Sequence, residues 1–259
     1  MQDTIFWDLD KVKAGLSTKV IGQELLLYSE IESTNTEAIN LIKKGVKSGT
    51  VLLAEEQTRG RGRGDRTWHS ASGKGIWMSL VLEPLKADNS EKLINMICAL
   101  SVVSAVKQVT SLNPQIKWPN DVWVNNKKVC GILIEPLPKS KLLVAGLGIN
   151  ISQLAEDFPP ELQAIATSLE AECDGPVDRE EILVSFLKSF EEYYSHFDPT
   201  LLQTIITEYR AHSLLLNKKA TINNKTRGTV VDFDTSGGMV LETESGDLVT
   251  VTDGEVIIT

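Results

Sequence analysis

The sequence predicts an α/β domain followed by a small β-barrel, and two observations carry that prediction. Short β-compatible apolar runs alternate with segments of helical period as far as His212, and beyond Lys219 the helical period gives way to five brief β-like runs separated by turns. The expected division is 1–212 and 213–259, and 259 residues accommodate one large unit and one small.

The elements follow in order. Thr34-Asn35-Thr36-Glu37 has the spacing of a capping box, opening an amphipathic helix through Ala38, Ile39, Leu41, Ile42 and Val46 that ends at Gly45 or Gly49. Thr50 to Glu55 and Ile76 to Leu82 read as strands, so the segment between them is a long loop, a feature that compact domains keep for function or leave disordered. Leu93, Ile94, Ile97, Leu100, Val103 and Val106 recur at helical spacing within Asn89 to Val109, the pattern of a core helix without chemistry. Ile116 to Val124 and Lys128 to Glu135 flank Asn125-Asn126, a pair that tolerates the positive φ of a tight hairpin turn. Leu142 to Ile151 is nearly all apolar and reads as a buried strand. Two helical patterns between Arg179 and Arg210 break near Asp198-Pro199. In the tail, Ala220–Ile222, Gly228–Phe233, Met239–Thr243, Leu248–Val251 and Val256–Ile258 alternate with Asn-Asn, Ser-Gly-Gly, Ser-Gly-Asp and Asp-Gly turns.

Composition narrows the function. A net charge of -9 argues against nucleic acid or an anionic membrane as the main partner, because such binding requires broad phosphate neutralisation. Cys98, Cys130 and Cys173 lack a CxxC pairing and His69, His196 and His212 are scattered, which points to reduced thiols and no structural zinc. The N-terminus carries no signal-peptide pattern and no uninterrupted apolar run approaches a membrane span, so the expected location is the cytoplasm.

Against that acidic background, Gln57 to Trp68 interleaves Arg59, Arg61, Arg63 and Arg66 with Gly60, Gly62 and Gly64. Glycine lets a backbone approach a ligand closely, and each guanidinium offers a planar fork for phosphate or carboxylate. The loop is suited to gripping a small anion; a solvated basic loop and an RGG-like RNA contact are the competing readings. The familiar phosphate motifs fail: Asp65 stands where a GxGxxG would need glycine, and Ser72-Gly-Lys-Gly75 lacks the remainder of a P-loop. Three further segments draw attention: Lys117-Trp-Pro-Asn-Asp121, Lys127-Lys128-Val-Cys-Gly131 and Gly146-Leu-Gly-Ile-Asn150. Pro119 stiffens the turn presenting Asn120 and Asp121, and Lys128 returns on the partner strand, bringing a carboxamide, a carboxylate and an ammonium to one sheet end.

Taken in order, Ser33-Thr-Asn35, Gly60-Arg-Gly-Arg63 with Arg66 and Trp68, Lys117-Trp-Pro-Asn-Asp121, Lys128 with Gly131-Ile-Leu, and Gly146-Leu-Gly-Ile-Asn150 resemble the biotin-protein ligases. The resemblance is strong from Glu30 to Asn150. It implies a mixed sheet with helices related to class II aminoacyl-tRNA synthetases and lipoate-protein ligases, and an SH3-like C-terminal barrel. It also implies activation of biotin by ATP to biotinyl-5'-AMP, with Mg²⁺, and transfer to a lysine of a biotin carboxyl carrier protein. Lipoate or octanoate transfer and a non-catalytic biotin-binding regulator are the alternatives.

By the same resemblance, Ser33, Thr34, Asn35, Gln57, Gly60, Arg61, Gly62, Arg63, Lys128 and Gly131 would hold biotin. Arg63, Arg66, Trp68, Asn120, Lys128 and Asn150 would meet ATP, the two asparagines fixing the nucleotide or its Mg²⁺. Lys128 would bridge the biotin carboxylate and the α-phosphate; Arg63 and Asp121 complete the catalytic set, Asp121 orienting or deprotonating the acceptor amine. The Arg/Gly loop would order over the adenylate as a lid. Three departures stand out: Asp65 replaces a glycine frequent in the family, no Trp lies beyond Trp123 to pack on adenine, and only 32 residues precede Ser33. The last implies a ligase without a winged helix and without DNA binding, and the family pattern implies a homodimer through the sheet edge.

Overall fold

The computed structural model describes residues 7–138, 140–173 and 175–258, so the sequence reading of the extreme N-terminus falls mostly outside the described residues. Its centre is a seven-stranded mixed sheet. The first β-α-β unit runs through β1 (Leu25–Ile31), α2 (Thr34–Lys43) and β2 (Val51–Gln57), with β1 and β2 parallel. A short α1 (Leu9–Gly15), capped by the Asp8 carboxylate accepting from Lys11 N, precedes it. β3 (Gly75–Leu82), α3 (Ser90–Val109), β4 (Gln115–Lys117), β5 (Asp121–Val124), β6 (Lys127–Pro136) and β7 (Leu143–Asn150) follow, giving the spatial order β1-β2-β3-β7-β6-β5-β4. From β2 onward every pairing in this sheet is antiparallel.

The hairpin between β5 and β6 turns on Asn125 (φ 48°) and Asn126 (φ 64°), as their side chains permit. The single strand expected from Ile116 to Val124 is two, because Trp118-Pro119-Asn120 reverses the chain and pairs β4 against β5, Lys117 opposite Asp121. The expected capping box is also absent. Ser33 is the N-cap and makes no side-chain cap bond, while the Thr34 hydroxyl turns to Gln57 and Ser79.

The sheet is covered unequally. Behind it, beyond a one-turn α4 (Leu169–Glu172), the helices α3, α5 (Arg179–Ser195) and α6 (Pro199–Ala211) build the main core; α3 is long and apolar enough to cross a membrane by length and composition, yet most of it is buried within the protein. Each fully buried Leu, Ile or Phe there contributes roughly 1.5–3 kcal/mol. On the other face α2 packs on Leu52, Val81 and Val144 through Ala38, at the end of β3 and the start of β7, leaving the N-terminal half of β6 and the C-terminal half of β7 to line a cavity. That uncovered floor becomes the site.

The tail comprises β8 (Lys219–Ile222), β9 (Thr226–Phe233), β10 (Met239–Glu242), β11 (Leu248–Val251) and β12 (Val256–Ile258), the five strands anticipated. Their order is β11-β10-β9-β8-β12, an open antiparallel sheet, not the closed barrel expected. Residues 248–250 are exposed, so β11 has no second core to close around. The inner face instead packs on α6, with Tyr209 edge-on to Phe233 at 5.1 Å, and Ala220, Ile222, Val230 and Met239 join the main core.

Candidate active site

The cavity is built on missing side chains. Gly131 of β6 and Gly148 of β7 are paired across the sheet, and a β-carbon on Gly148 would fall 2.2 Å from the Trp68 indole nitrogen. The indole therefore lies against bare backbone, where only glycine admits it. Two positions back along β7, on the same face, a β-carbon on Gly146 would meet Asn35 Oδ1 at 2.0 Å, so the start of α2 settles onto the same strip.

Around this floor a cavity of about 610 Å³ opens. Its wall carries five cations (Arg61, Arg63, Arg66, Lys117, Lys128) against two carboxylates (Asp121, Glu255), concentrating positive charge in an acidic protein. β4, β5 and β6 set Lys117, Asp121 and Gly131 in one cross-strand row. Lys128 Nζ lies 2.6 Å from Asp121 Oδ1, with both side chains about a quarter exposed, and 5.1 Å from the centre of the Trp68 ring. Lys117 stacks over Trp123 at 4.3 Å, and burial lowers its pKa even though Asp121 pulls the other way.

The KWPND turn meets the arginine loop directly. Arg63 Nη1 donates to Asn120 Oδ1 at 3.1 Å, while its other nitrogen pairs with Asp253 of the β11–β12 turn. Arg66 Nε donates to Arg63 O at 3.2 Å, and its Nη1 stands 3.6 Å from Glu255. The tail sheet thus supplies a wall of the cavity and two counter-charges.

At the opposite end the groups are neutral. Gln57 Oε1 accepts from Thr34 N at 2.8 Å and from Thr34 Oγ1 at 3.1 Å, and Gln57 Nε2 donates to Ser70 Oγ at 2.8 Å. Asn150 is buried, donating to Thr167 O at 2.9 Å and accepting from Gln153 at 3.0 Å, so it ties the end of β7 to the apolar wall of Phe158, Leu162, Ile165 and Ala166. Burial pushes the Cys130 thiol up beyond any nucleophilic range, so Cys130 supplies no thiolate to the site.

Comparison with known proteins agrees with this geometry. The biotin/lipoate A/B protein ligase family model matches residues 27–152. The bifunctional ligase/repressor BirA of Bacillus spizizenii is 36% identical over 245 residues, covering 91% of this chain and 74% of its own. This chain belongs to the biotin protein ligase family. The biotin--[acetyl-CoA-carboxylase] ligase of Mycobacterium tuberculosis is 28% identical, covering 91% and 89%. The biotin protein ligase of Aquifex aeolicus in complex with biotin and ATP superposes with a TM-score of 0.80 at 30% identity, over 92% of this chain and 99% of that one.

In this family member, Ser33, Thr34, Asn35, Gln57, Arg61, Gly62, Arg63, Arg66, Trp68, Asn120, Asp121, Lys128, Gly131 and Asn150 all line one cavity. Gly60 does not; it sits beneath the loop, where a β-carbon would strike Trp68 O at 2.4 Å. Trp68 lies on the Gly131–Gly148 floor beside Lys128. Arg61 is held by Glu135, with Nη2 at 2.8 Å from Oε1. Sequence reasoning missed Glu135, Asp253, Glu255 and the 158–166 wall. A carboxylate ending the apolar run of β6 was a readable signal for Glu135, whereas nothing local marks the approach of the tail turn to Arg63.

Proposed function

We propose that the protein activates biotin with ATP to biotinyl-5'-AMP and transfers the biotin to a lysine of a biotin carboxyl carrier protein. The observation that carries this reading is the single cavity joining a neutral hydrogen-bonding end, Thr34 and Gln57, to a cationic end, Lys128 with Arg63 and Arg66. Bringing a carboxylate to an α-phosphate sets anion against anion, and preorganised cations lower that barrier. Lys128 leaves Asp121 and spans the carboxylate and the α-phosphate as the carboxylate oxygen attacks phosphorus and pyrophosphate departs. A compact ammonium suits that position. Arg63 and Arg66 take the phosphate charge, exchanging Asp253 and Glu255 for it.

In the second step the acceptor lysine must shed a proton before its amine attacks the mixed anhydride and expels AMP. Asp121, released from Lys128, is positioned to receive it. The described residues contain no group of three or more His, Cys, Asp or Glu that would cage a metal. Mg²⁺ would enter on the phosphates, with Asn120 and Asn150, which line the cavity, as candidate oxygen donors. There it would neutralise phosphate charge.

Thr34 and Gln57 at the cavity's end favour a ureido ring over the apolar chain of lipoate. Cytoplasmic location, absence of DNA binding and a homodimer belong to the same proposal. The dimer would use the outer edge of β6 beyond Ile132, which β5 leaves unpaired. The test is pyrophosphate exchange driven by biotin or by lipoate, followed by labelling of a carrier domain. Biotin-dependent exchange with lysine labelling is expected; lipoate-only exchange, or binding without turnover, would overturn the reading.

A further inference from the structure

Glu135 takes no part in the chemistry above, yet it closes a ring of polar contacts around the start of α2. Its Oε2 accepts from Asn35 Nδ2 at 2.7 Å and from Arg61 Nη1 at 3.1 Å, while Arg61 Nη2 stands 2.8 Å from Oε1. Asn35 Oδ1 lies 2.6 Å from Ser79 Oγ, which is also 2.7 Å from Thr34 Oγ1, so the single Ser79 proton serves one of them at a time. Thr34 donates to Gln57 Oε1, and Gln57 donates to Ser70. The chain of contacts therefore leaves the Arg/Gly loop at Arg61, crosses the floor of the site through Glu135, Asn35, Ser79, Thr34 and Gln57, and rejoins the loop at Ser70.

Most of this ring is inaccessible to water: Asn35 is 4% exposed and Ser79 fully buried. A buried polar network holds its geometry only while every member is satisfied. Glu135 is the one charged member within the sheet, and its side chain is 19% exposed. Exposed ion pairs are worth little, but a forked guanidinium on a largely buried carboxylate is both stronger and directional. Arg61, expected from the sequence to touch biotin, has its planar fork engaged by this carboxylate.

We infer that Glu135 is a positioning residue: it clasps the Arg/Gly loop to β6 through Arg61 and, through Asn35, fixes the Thr34–Gln57 end of the cavity. This rests on the functional reading above for the identity of the ligand, but the clasp itself is a property of the ligand-free protein. Glu135→Gln keeps the shape and loses the charge. Limited trypsin digestion of the ligand-free protein should cut the loop at Arg59, Arg63 and Arg66 about tenfold faster in this variant, the loss of a charge-assisted bond. Arg61→Gln removes the same contact from the exposed side and should match it. The double variant should be no faster than either single.

In the exchange assay the biotin KM should rise by a similar factor while the ATP KM stays within about twofold. Cutting at the parental rate, single effects that multiply in the double variant, or an unchanged biotin KM would each overturn the inference. If Glu135→Gln does not fold, Arg61→Gln decides the question alone. Absence of biotin-driven exchange in the parent protein would remove the functional reading, and the digestion comparison would still judge the clasp.

Discussion

Lys128→Ala is the most demanding test of the chemistry. In the ligand-free protein the ammonium is matched by Asp121 at 2.6 Å, within a row that also contains Lys117. A unit charge about 4 Å from an anion is worth about 4 kcal/mol at the effective dielectric of a partly buried site. During adenylation Lys128 gives up one anion and gains two, so the net stabilisation lost with it is about 3–4 kcal/mol. That corresponds to a 10²–10³-fold fall in biotinyl-AMP formation, the range seen when one preorganised charge stabiliser is removed. The fold should survive, because removing Lys128 leaves Asp121 open to water on one side. The assay is pyrophosphate release in a single turnover with saturating biotin and ATP, beside circular dichroism of the variant. A parental rate of pyrophosphate release by the folded variant would refute the bridging role.

Asp121→Asn should form the adenylate within a few-fold of the parent and transfer it to a carrier lysine at least tenfold more slowly; equal transfer removes the acceptor-orienting role. Arg179→Met strikes the buried pair in which Arg179 Nη1 and Nη2 reach Glu55 at 3.1 and 3.2 Å beside Trp7, and should cost about 3–5 kcal/mol in urea denaturation because the buried carboxylate loses its guanidinium counter-charge and keeps only weaker contacts such as the Trp7 N–H. A loss under 1 kcal/mol would mean that water replaces the arginine. Burial raises the Glu191 carboxyl, but donors from Ile21, Lys19 and Val20 outweigh it and hold its pKa below the ordinary 4.5. Its contribution is therefore complete above about pH 4.5 and fades as pH falls toward the folded value. Glu191→Gln should flatten the stability curve in that window, and parallel curves would discount the three bonds.

The strands and helices that the sequence made legible are those whose period survives in three dimensions. α3, the β5–β6 hairpin, β7 and the Asp198-Pro199 break carry their signals locally, in apolar spacing, in paired asparagines and in a capping aspartate. β1 went unread because an edge strand is defined by its partner, here the parallel register from Leu25 opposite Val51. The capping box at Thr34 misled because the same hydroxyl is claimed by Gln57, a contact spanning 23 residues.

The site shows the same divide. The sequence by itself determined which charges and which glycines matter, since Lys128, Arg63, Gly131 and the KWPND turn announce their chemistry by type and spacing. Only the tertiary structure decided their company: Lys128 held by Asp121, Arg63 shared between Asn120 and Asp253, Arg61 clasped by Glu135, Trp68 laid over bare backbone. Residue type fixes what a group can do, but counter-charges act over a few ångströms, and groups brought that close here lie up to 190 positions apart along the chain.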